Sequence, residues 1–266
     1  MPMPGGMRHV FGFGRAALLG GDIMNDPQFE AALAEARLEA LREFAYGAGH
    51  EINNPLANIA ARAQALLVDE QDPERRRRLS TIVDQAFRAR DMIGGLMLFA
   101  RPPRPQPAAV LLGDIVRSVL DPLRGAATIR GLRLEYAPPP VPLELLVDAG
   151  QVAEALRALV QNAIEAVDDG GHVTVSGREA GGMVEIEVAD DGRGMDAATL
   201  RRAFDPFFSG REAGRGMGLG LPKAWRLVEL NGGTVAIDSR PGGGTRVTVA
   251  VPMASGGRVG AAPGSR

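Results

Sequence analysis

Cysteine is absent from the 266 residues, so disulfides, thiol nucleophiles and thiolate metal ligands are excluded. Histidine is scarce: His9, His50 and His172 are the only three, too few for a histidine-rich metal site. Aromatic residues make up 5% of the chain against 45% hydrophobic residues overall, so the core must rest on Leu, Val, Ile and Ala. No apolar run approaches the ~18–20 residues needed to span a bilayer, which predicts a protein without membrane insertion. Arg8 and Arg15 bracket only a short apolar patch, a poor secretory leader, and a cytoplasmic location is expected. Strong charge of either sign is lacking too. A formal net charge of -2 gives no electrostatic footprint for nucleic acid. The run Arg75-Arg76-Arg77-Arg78 is a local exception that reads as a solvated helix start, with a partner-binding patch as the lesser reading.

The length fits one large or two modest domains. Residues 1–25 are rich in Gly and Met without a clear period and read as a flexible arm. A helical pattern runs from about Pro27 to Val68. Asp72 then suits an N-cap and Pro73 the first position of a second helix. That helix is marked by Leu79, Ile82, Val83, Ala86, Ile93, Leu96, Met97 and Ala100. Together they predict a helical hairpin over 26–101 that completes its core by pairing into a four-helix bundle homodimer. The prolines of Arg101–Pro107 mark a stiff linker, set at 102–109. Beyond it, helices are predicted over Leu112–Arg124, from the cap Asp148 to about Val167, and over Pro222–Leu230. Strands are predicted over Leu132–Tyr136, Val173–Val175, Val184–Val188, Val235–Ile237 and Arg246–Val251. This mixture predicts an α/β sandwich over 110–253, helices on one face of a mixed sheet, and a disordered Gly- and Ser-rich tail over 254–266.

The first helix carries His50-Glu51-Ile52-Asn53-Asn54-Pro55-Leu56. Residues four apart share a helix face, so His50 and Asn54 point the same way with Glu51 beside the imidazole. A neutral imidazole is a nucleophile near neutral pH when a neighbour orients it and takes up the charge it gains. Leu38, Leu41, Ala45, Ala48, Ile52, Pro55 and Ile59 alternate spacings of three and four and form the expected seam. With Leu38 at position a, His50 falls at f, Glu51 at g and Asn54 at c. By itself His50 reads equally as a solvated surface residue. Pro55 argues for shaping, since an interior proline costs ~3 kcal/mol and kinks a helix.

Three further features carry chemistry. Asn162 lies off the apolar face formed by Val152, Leu156, Leu159, Val160, Ala163 and Val167, and its carboxamide oxygen suits a divalent ion or plain solvent. Asp190-Asp191-Gly192-Arg193-Gly194 follows a strand, where a carboxylate can accept from an exocyclic amine and glycines let backbone approach a planar ring; it is equally a common turn. Gly210–Gly220 holds Gly214, Gly216, Gly218 and Gly220 just before a helix, a place where backbone N–H groups meet phosphate. Its spacing is neither a Walker nor a dinucleotide pattern, and Arg211 within it is a phosphate partner or a solvated loop residue.

In this order Asn162, then Asp190 with Gly192 and Gly194, then Phe204-Asp205-Pro206-Phe207-Phe208, then Gly216-Met217-Gly218-Leu219-Gly220-Leu221 resemble the N, G1, F and G2 boxes of the ATP-binding domain of sensor histidine kinases. His50–Leu56 resembles the H box of the same family, close to its nitrogen-regulation type. The resemblance covers about residues 30–253. It implies the gyrase, chaperone and histidine-kinase type of α/β sandwich behind a helical-hairpin dimerisation domain. It also implies ATP and Mg²⁺ as cofactors. By this similarity His50 accepts the γ-phosphate, Glu51 orients it and acts as base, and Asn54 places a water for dephosphorylating a response regulator. Asn162 binds Mg²⁺, Asp190 meets the adenine amine, Arg211 meets phosphate, and Gly216, Gly218 and Gly220 hinge the lid. Phe207 and Phe208 pack the lid base or plain core, Trp225 is core, and His172 is a strand-edge residue without a role.

One departure bears on the chemistry. The family often has a second asparagine four residues before the Mg²⁺ ligand, where related ATPases carry a water-activating glutamate; here that residue is Ala158. Efficient hydrolysis of that kind is disfavoured, and transfer to His50 and then to a response-regulator aspartate is the expectation. The alternative is a nucleotide-binding pseudokinase scaffold, against which the intact His50, Glu51, Asn162, Asp190 and glycine lid argue.

Overall fold

The computed structural model describes residues 9–10, 27–210 and 217–258, and the chain divides into two compact units that meet between Pro103 and Arg104.

In the first unit, α1 (Pro27–Asp69) and α2 (Pro73–Ala100) form the hairpin. The turn is fixed locally. Asp72 is extended and its carboxylate accepts from Arg75 N at 2.8 Å, with Pro73 opening α2. Arg76 donates to the carbonyls of Leu67 (3.0 Å) and Glu70 (2.6 Å), which satisfies the end of α1. Pro55 sits inside α1 without ending it. Against α2, α1 turns Gly49, Asn53, Leu56, Ala60, Ala63 and Leu67, all buried or half-buried. This seam is the predicted one displaced by a single residue. Ile52 and Ile59, assigned to it from the sequence, are 37% and 47% exposed. The reason is that α1 carries two apolar stripes about 100° apart. The stripe with Gly49, Ala60 and Ala63 lets the backbones approach, so the hairpin closes on it. In α2, Val83, Ala86, Leu96, Phe99 and Ala100 are buried, whereas Ile82 stays 45% exposed.

The second unit is a mixed sheet with three longer helices and one short one. Its elements are β2 (Ala108–Leu111), α3 (Leu112–Ile129), β3 (Arg133–Ala137), β4 (Leu143–Val147), α4 (Ala149–Ala166), β5 (His172–Ala180), β6 (Met183–Asp190), α5 (Ala197–Arg201), α6 (Gly220–Leu230), β7 (Thr234–Ser239) and β8 (Thr245–Arg258), with β1 (His9–Val10) added beside β7. Strand order is β1-β7-β8-β6-β5-β3, with β2 on β4 and β4 on β8. Only β3 and β5 run parallel. Alternation places Val184, Ile186 and Val188 of β6 opposite Val251, Val249 and Val247 of β8. All six are buried, against helix residues such as Leu156, Leu159 and Leu227. The sandwich expected from the sequence is the fold found.

Several boundaries differ. β2 enters the segment read as linker, and β4 and the short α5 were not predicted. β8 continues to Arg258, beyond the Ala254 start set for a disordered tail, and β1 lies in the segment read as an arm. The cause is pairing at long sequence separation: Met253 and Arg258 stand opposite Leu145 and Leu143, and a partner strand outweighs the poor β-propensity of Ser255-Gly256-Gly257.

Polar bolts hold the helices. Buried Asn231 accepts from Asp148 N at 2.7 Å and donates to Gln151 Oε1 at 3.0 Å, joining the end of α6 to the start of α4. Arg130 donates to the Ile164 and Val167 carbonyls, each at 2.9 Å, and to Asp169. It thereby caps the helix that carries Asn162. Among the described residues no helix is long and apolar enough to cross a membrane.

Candidate functional site

The C-terminal ends of α4 and β6 and the N-terminus of α6 converge on one place in the second unit. Asn162 is half-buried one turn before the end of α4, and its carboxamide makes no hydrogen bond to any described residue. A Cβ built on Gly220 would stand 2.8 Å from Asn162 Nδ2 and 3.0 Å from its Oδ1. The carboxamide therefore lies directly against the first turn of α6. That helix begins at Gly220 with no side-chain cap among the described residues, so the N–H groups of Gly220 and Leu221, ahead of Pro222, which has none, stand at the positive end of the helix dipole. A neutral carboxamide oxygen thus adjoins the backbone amides that open a helix. Glycine at 220 is what lets them touch.

Asp190 ends β6. Its Oδ1 accepts from Gly192 N at 2.9 Å and Thr245 N at 3.2 Å, and Oδ2 accepts nothing from the described residues. Burial pushes the Asp190 carboxyl above its ordinary range, against the lowering effect of those two N–H bonds, and the Asp191 charge adds to the rise. The result is a fixed, half-buried carboxylate with one oxygen free to accept from an amine.

The glycines after it make close approaches to the protein's own backbone. A Cβ on Gly192 would strike the Ala166 carbonyl, and one on Gly194, at φ 66°, the Arg240 carbonyl. Arg193 N donates to Ala166 O, and Gly244 N to Gly192 O. The segment laces the end of α4 to the β7–β8 turn, and so sets Asp190 relative to Asn162.

The Phe204–Phe208 segment abuts the glycine loop. Phe207 N donates to Gly218 O at 3.1 Å, and Gly218, at φ 65°, packs so tightly on Phe207 and Phe208 that no Cβ fits. Phe207 is itself left-handed at φ 64° and 51% exposed, so it is not core; Phe208 lies under the Arg202 guanidinium at 4.1 Å. Trp225 packs on the core as expected. His172 opens β5, which lies inside the sheet between β3 and β6. His172 thus stands at the end of its strand as expected, and its Nε2 lies 3.3 Å from Glu135 and 3.2 Å from Thr174 Oγ1. Ala158 is buried at 4% exposure and offers no group to a water.

Arg211 and Gly216 lie outside the described residues, as does the side chain of His50. The backbone of His50 is helical, and Glu51 and Asn54 are exposed on the same helix. Two contributors escaped the sequence reading. Thr245 holds Asp190 only because β6 and β8 pair, and Arg130 acts through carbonyls at a sequence separation of more than 30 residues; neither leaves a local signal.

The residues fit a magnesium nucleotide. Mg²⁺ keeps several waters and takes one or two protein oxygens beside its phosphates. Asn162 can supply one, and among the described residues no cluster of three or more His, Asp or Glu competes for the ion.

The family model described as Histidine kinase-, DNA gyrase B-, and HSP90-like ATPase matches residues 147–255, and that of the His Kinase A (phospho-acceptor) domain matches residues 40–104. Sensor histidine kinase ZraS of Klebsiella oxytoca is 31% identical over 226 residues, 84% of this chain and 48% of that protein. The C4-dicarboxylate transport sensor protein DctB of Rhizobium meliloti is 32% identical over 79% of this chain and 34% of its own. The chain spans about half the length of the curated relatives it first matches. Among solved structures, full-length ShkA in complex with AMPPNP has a TM-score of 0.70 at 23% identity, covering 81% of this chain and 46% of that one. Histidine kinase ThkA in complex with response regulator protein TrrA has a TM-score of 0.60 at 20% identity, covering 85% and 65%.

Proposed function

The chain belongs to the two-component sensor histidine kinases, and from that premise we propose that it binds Mg-ATP between α4, β6 and α6 and phosphorylates itself on His50. The phosphoryl group would then pass to an aspartate of a response regulator. The observation that carries the nucleotide half is the contact of Asn162 with the uncapped start of α6, beside the half-free carboxylate of Asp190. ATP with its adenine amine on Asp190 Oδ2 would direct its phosphates toward those amides and the glycine loop, with Arg211 and Gly216 as further phosphate contacts. Mg²⁺, when bound, supplies neutralisation of phosphate charge, and Asn162 would hold it.

Phosphoryl transfer asks the protein for positioning and charge stabilisation more than covalent work. His50 Nε2 would use its lone pair to form a P–N bond as the bond from the γ-phosphorus to the bridging oxygen breaks, leaving ADP. Glu51, one residue along, would hold the Nδ1 proton and the positive charge the ring acquires. Asn54, exposed one turn later on α1, would orient a water for dephosphorylating the regulator. The exposed stripe of Ile52, Ile59 and Leu66 on α1 supports pairing of two hairpins into a four-helix bundle, with the hairpin as dimerising phosphoacceptor domain and 110–253 as the ATP-binding domain. A cytoplasmic location belongs to the same reading.

Incubation with γ-labelled Mg-ATP tests it. The expected product is an acid-labile, base-stable phosphoprotein from the natural chain and none from His50→Ala. Label that survives the substitution would place the phosphate elsewhere.

A further inference from the structure

The sheet ends at β3, five residues that pair on one side only. Arg133 N donates to Gly171 O at 2.9 Å. Parallel pairing thus turns the backbone of Arg133, Glu135 and Ala137 toward β5 and that of Leu134 and Tyr136 outward. Among the described residues no strand covers those outward groups. An exposed edge of this kind is a template for another strand unless it is blunted, and proline appears only after it, at Pro138. Beside the edge lies a groove of about 450 Å³ between α3 and β3. Its floor is Leu120 and Leu134, Tyr136 forms one wall, and Arg117 and Arg124 stand along its α3 side, with Glu135 also lining it.

We propose that this edge takes up an extended segment of a partner protein as an added strand, with the side-chain pattern acidic-x-apolar-x-acidic. Every second side chain of a strand continuing the sheet past β3 falls on the helix face, into the groove. Arg117 and Arg124 are seven positions apart on α3, a rise of roughly 10.5 Å. Side chains four apart on a strand are separated by about 13 Å, a difference long arginines absorb. The position between them meets Leu120 and Tyr136. The arginines are held by Asp114 (2.7 Å) and Asp121 (3.2 Å) in exposed pairs one turn away, and such pairs are weak enough to exchange for an incoming carboxylate. Glu135, the acid within the groove, reaches back to the His172 ring at 3.3 Å. The site does not touch Asn162 or Asp190, and the proposal does not depend on the nucleotide reading.

Fluorescence anisotropy of the full chain with a labelled acetyl-Glu-Thr-Val-Thr-Glu-amide peptide tests this. The expected result is saturable binding that weakens with salt and falls about tenfold or more in Arg117→Gln/Arg124→Gln. Slowed exchange of the Leu134 and Tyr136 amides should accompany it. A Lys-Thr-Val-Thr-Lys peptide should not bind. N-methylation of one alternating set of peptide nitrogens should abolish binding while the other set is tolerated; this arm leaves the protein unaltered, so it holds even if the double variant misfolds. Absence of binding, equal binding of the lysine peptide, or tolerance of both methylation patterns overturns the proposal.

Discussion

Asp190 shows how much of the site rests on single atoms. One carboxylate oxygen is spent on the amides of Gly192 and Thr245, and the other is left for a ligand. Asp190→Asn keeps an Oδ1 that can accept both amides but replaces the free acceptor with an NH₂ donor, which would face the adenine amine donor to donor. Loss of a hydrogen bond to a charged group costs ~1.5–3 kcal/mol, so ATP affinity is expected to fall about tenfold to a hundredfold in a titration with a fluorescent nucleotide. Stability should move the other way. Burial raises the carboxyl's pKa in the folded state, so folding favours the protonated form: its contribution is present at low pH and is lost as pH rises through the raised value. At neutral pH the wild-type charge therefore costs stability, and Asp190→Asn should melt no lower than wild type, its advantage shrinking as pH is lowered toward the carboxylate range. A variant that bound ATP normally would remove Asp190 from the site. Gly220 gives a second test at this scale. Gly220→Ala inserts a methyl 2.8 Å from the Asn162 amide at a helix start that tolerates alanine. The domain should stay folded by circular dichroism while Mg-dependent nucleotide binding drops about tenfold or more, since a shift of the amide misplaces the cation ligand.

The elements were legible in the sequence wherever their determinants are local. Asp72 and Asp148 cap the helices they were expected to cap, and the alternating runs of β5, β6 and β8 are strands. What is set by contacts distant in the chain was not legible: β2, β4 and the far end of β8 exist through one another, and Arg130 secures α4 from across a loop. The site divides the same way. Asn162 and Asp190 were visible as residue types at a helix and a strand end, but their mutual setting depends on Gly192 against Ala166 and on Thr245 from β8. The sequence reading named the stripe of Ile52 and Ile59, while the hairpin itself closes on the stripe one residue further along; two apolar stripes compete on α1 and sequence does not rank them. Asn53 occupies the stripe on which the hairpin closes, and its Oδ1 is buried without a partner among the described residues. A buried unpaired acceptor costs ~1–3 kcal/mol. Asn53→Leu, which removes it and fills the seam between Gly49 and Leu56, should raise the hairpin's melting transition by several degrees in calorimetry. An unchanged or lower transition would mean that this polar group is satisfied in solution.

At the scale of the whole molecule, the stripe that lost is the more telling one. Ile52, Ile59 and Leu66 recur every seven residues at 37%, 47% and 63% exposure, and Ile82 and Met92 of α2 are 45% and 48% exposed. A single exposed leucine means little, but a heptad-spaced row along one helix face is the pattern of a bundle seam waiting for its partner. Closing the hairpin consumes only one stripe of α1, so a second hairpin is what the remaining one can bury. Ile59 is the middle of that row, next to buried Ala60 yet on the outward side, so a charge there opposes pairing without entering the hairpin seam. Ile59→Glu is therefore expected to convert a dimer of the full chain into a monomer by light scattering at micromolar concentration, with helical content and nucleotide binding retained. Gln64→Glu, on the same helix but off the row, should leave the dimer intact. If both proteins have the same mass in solution, the heptad row is not the pairing surface, and the dimer, if there is one, is built elsewhere.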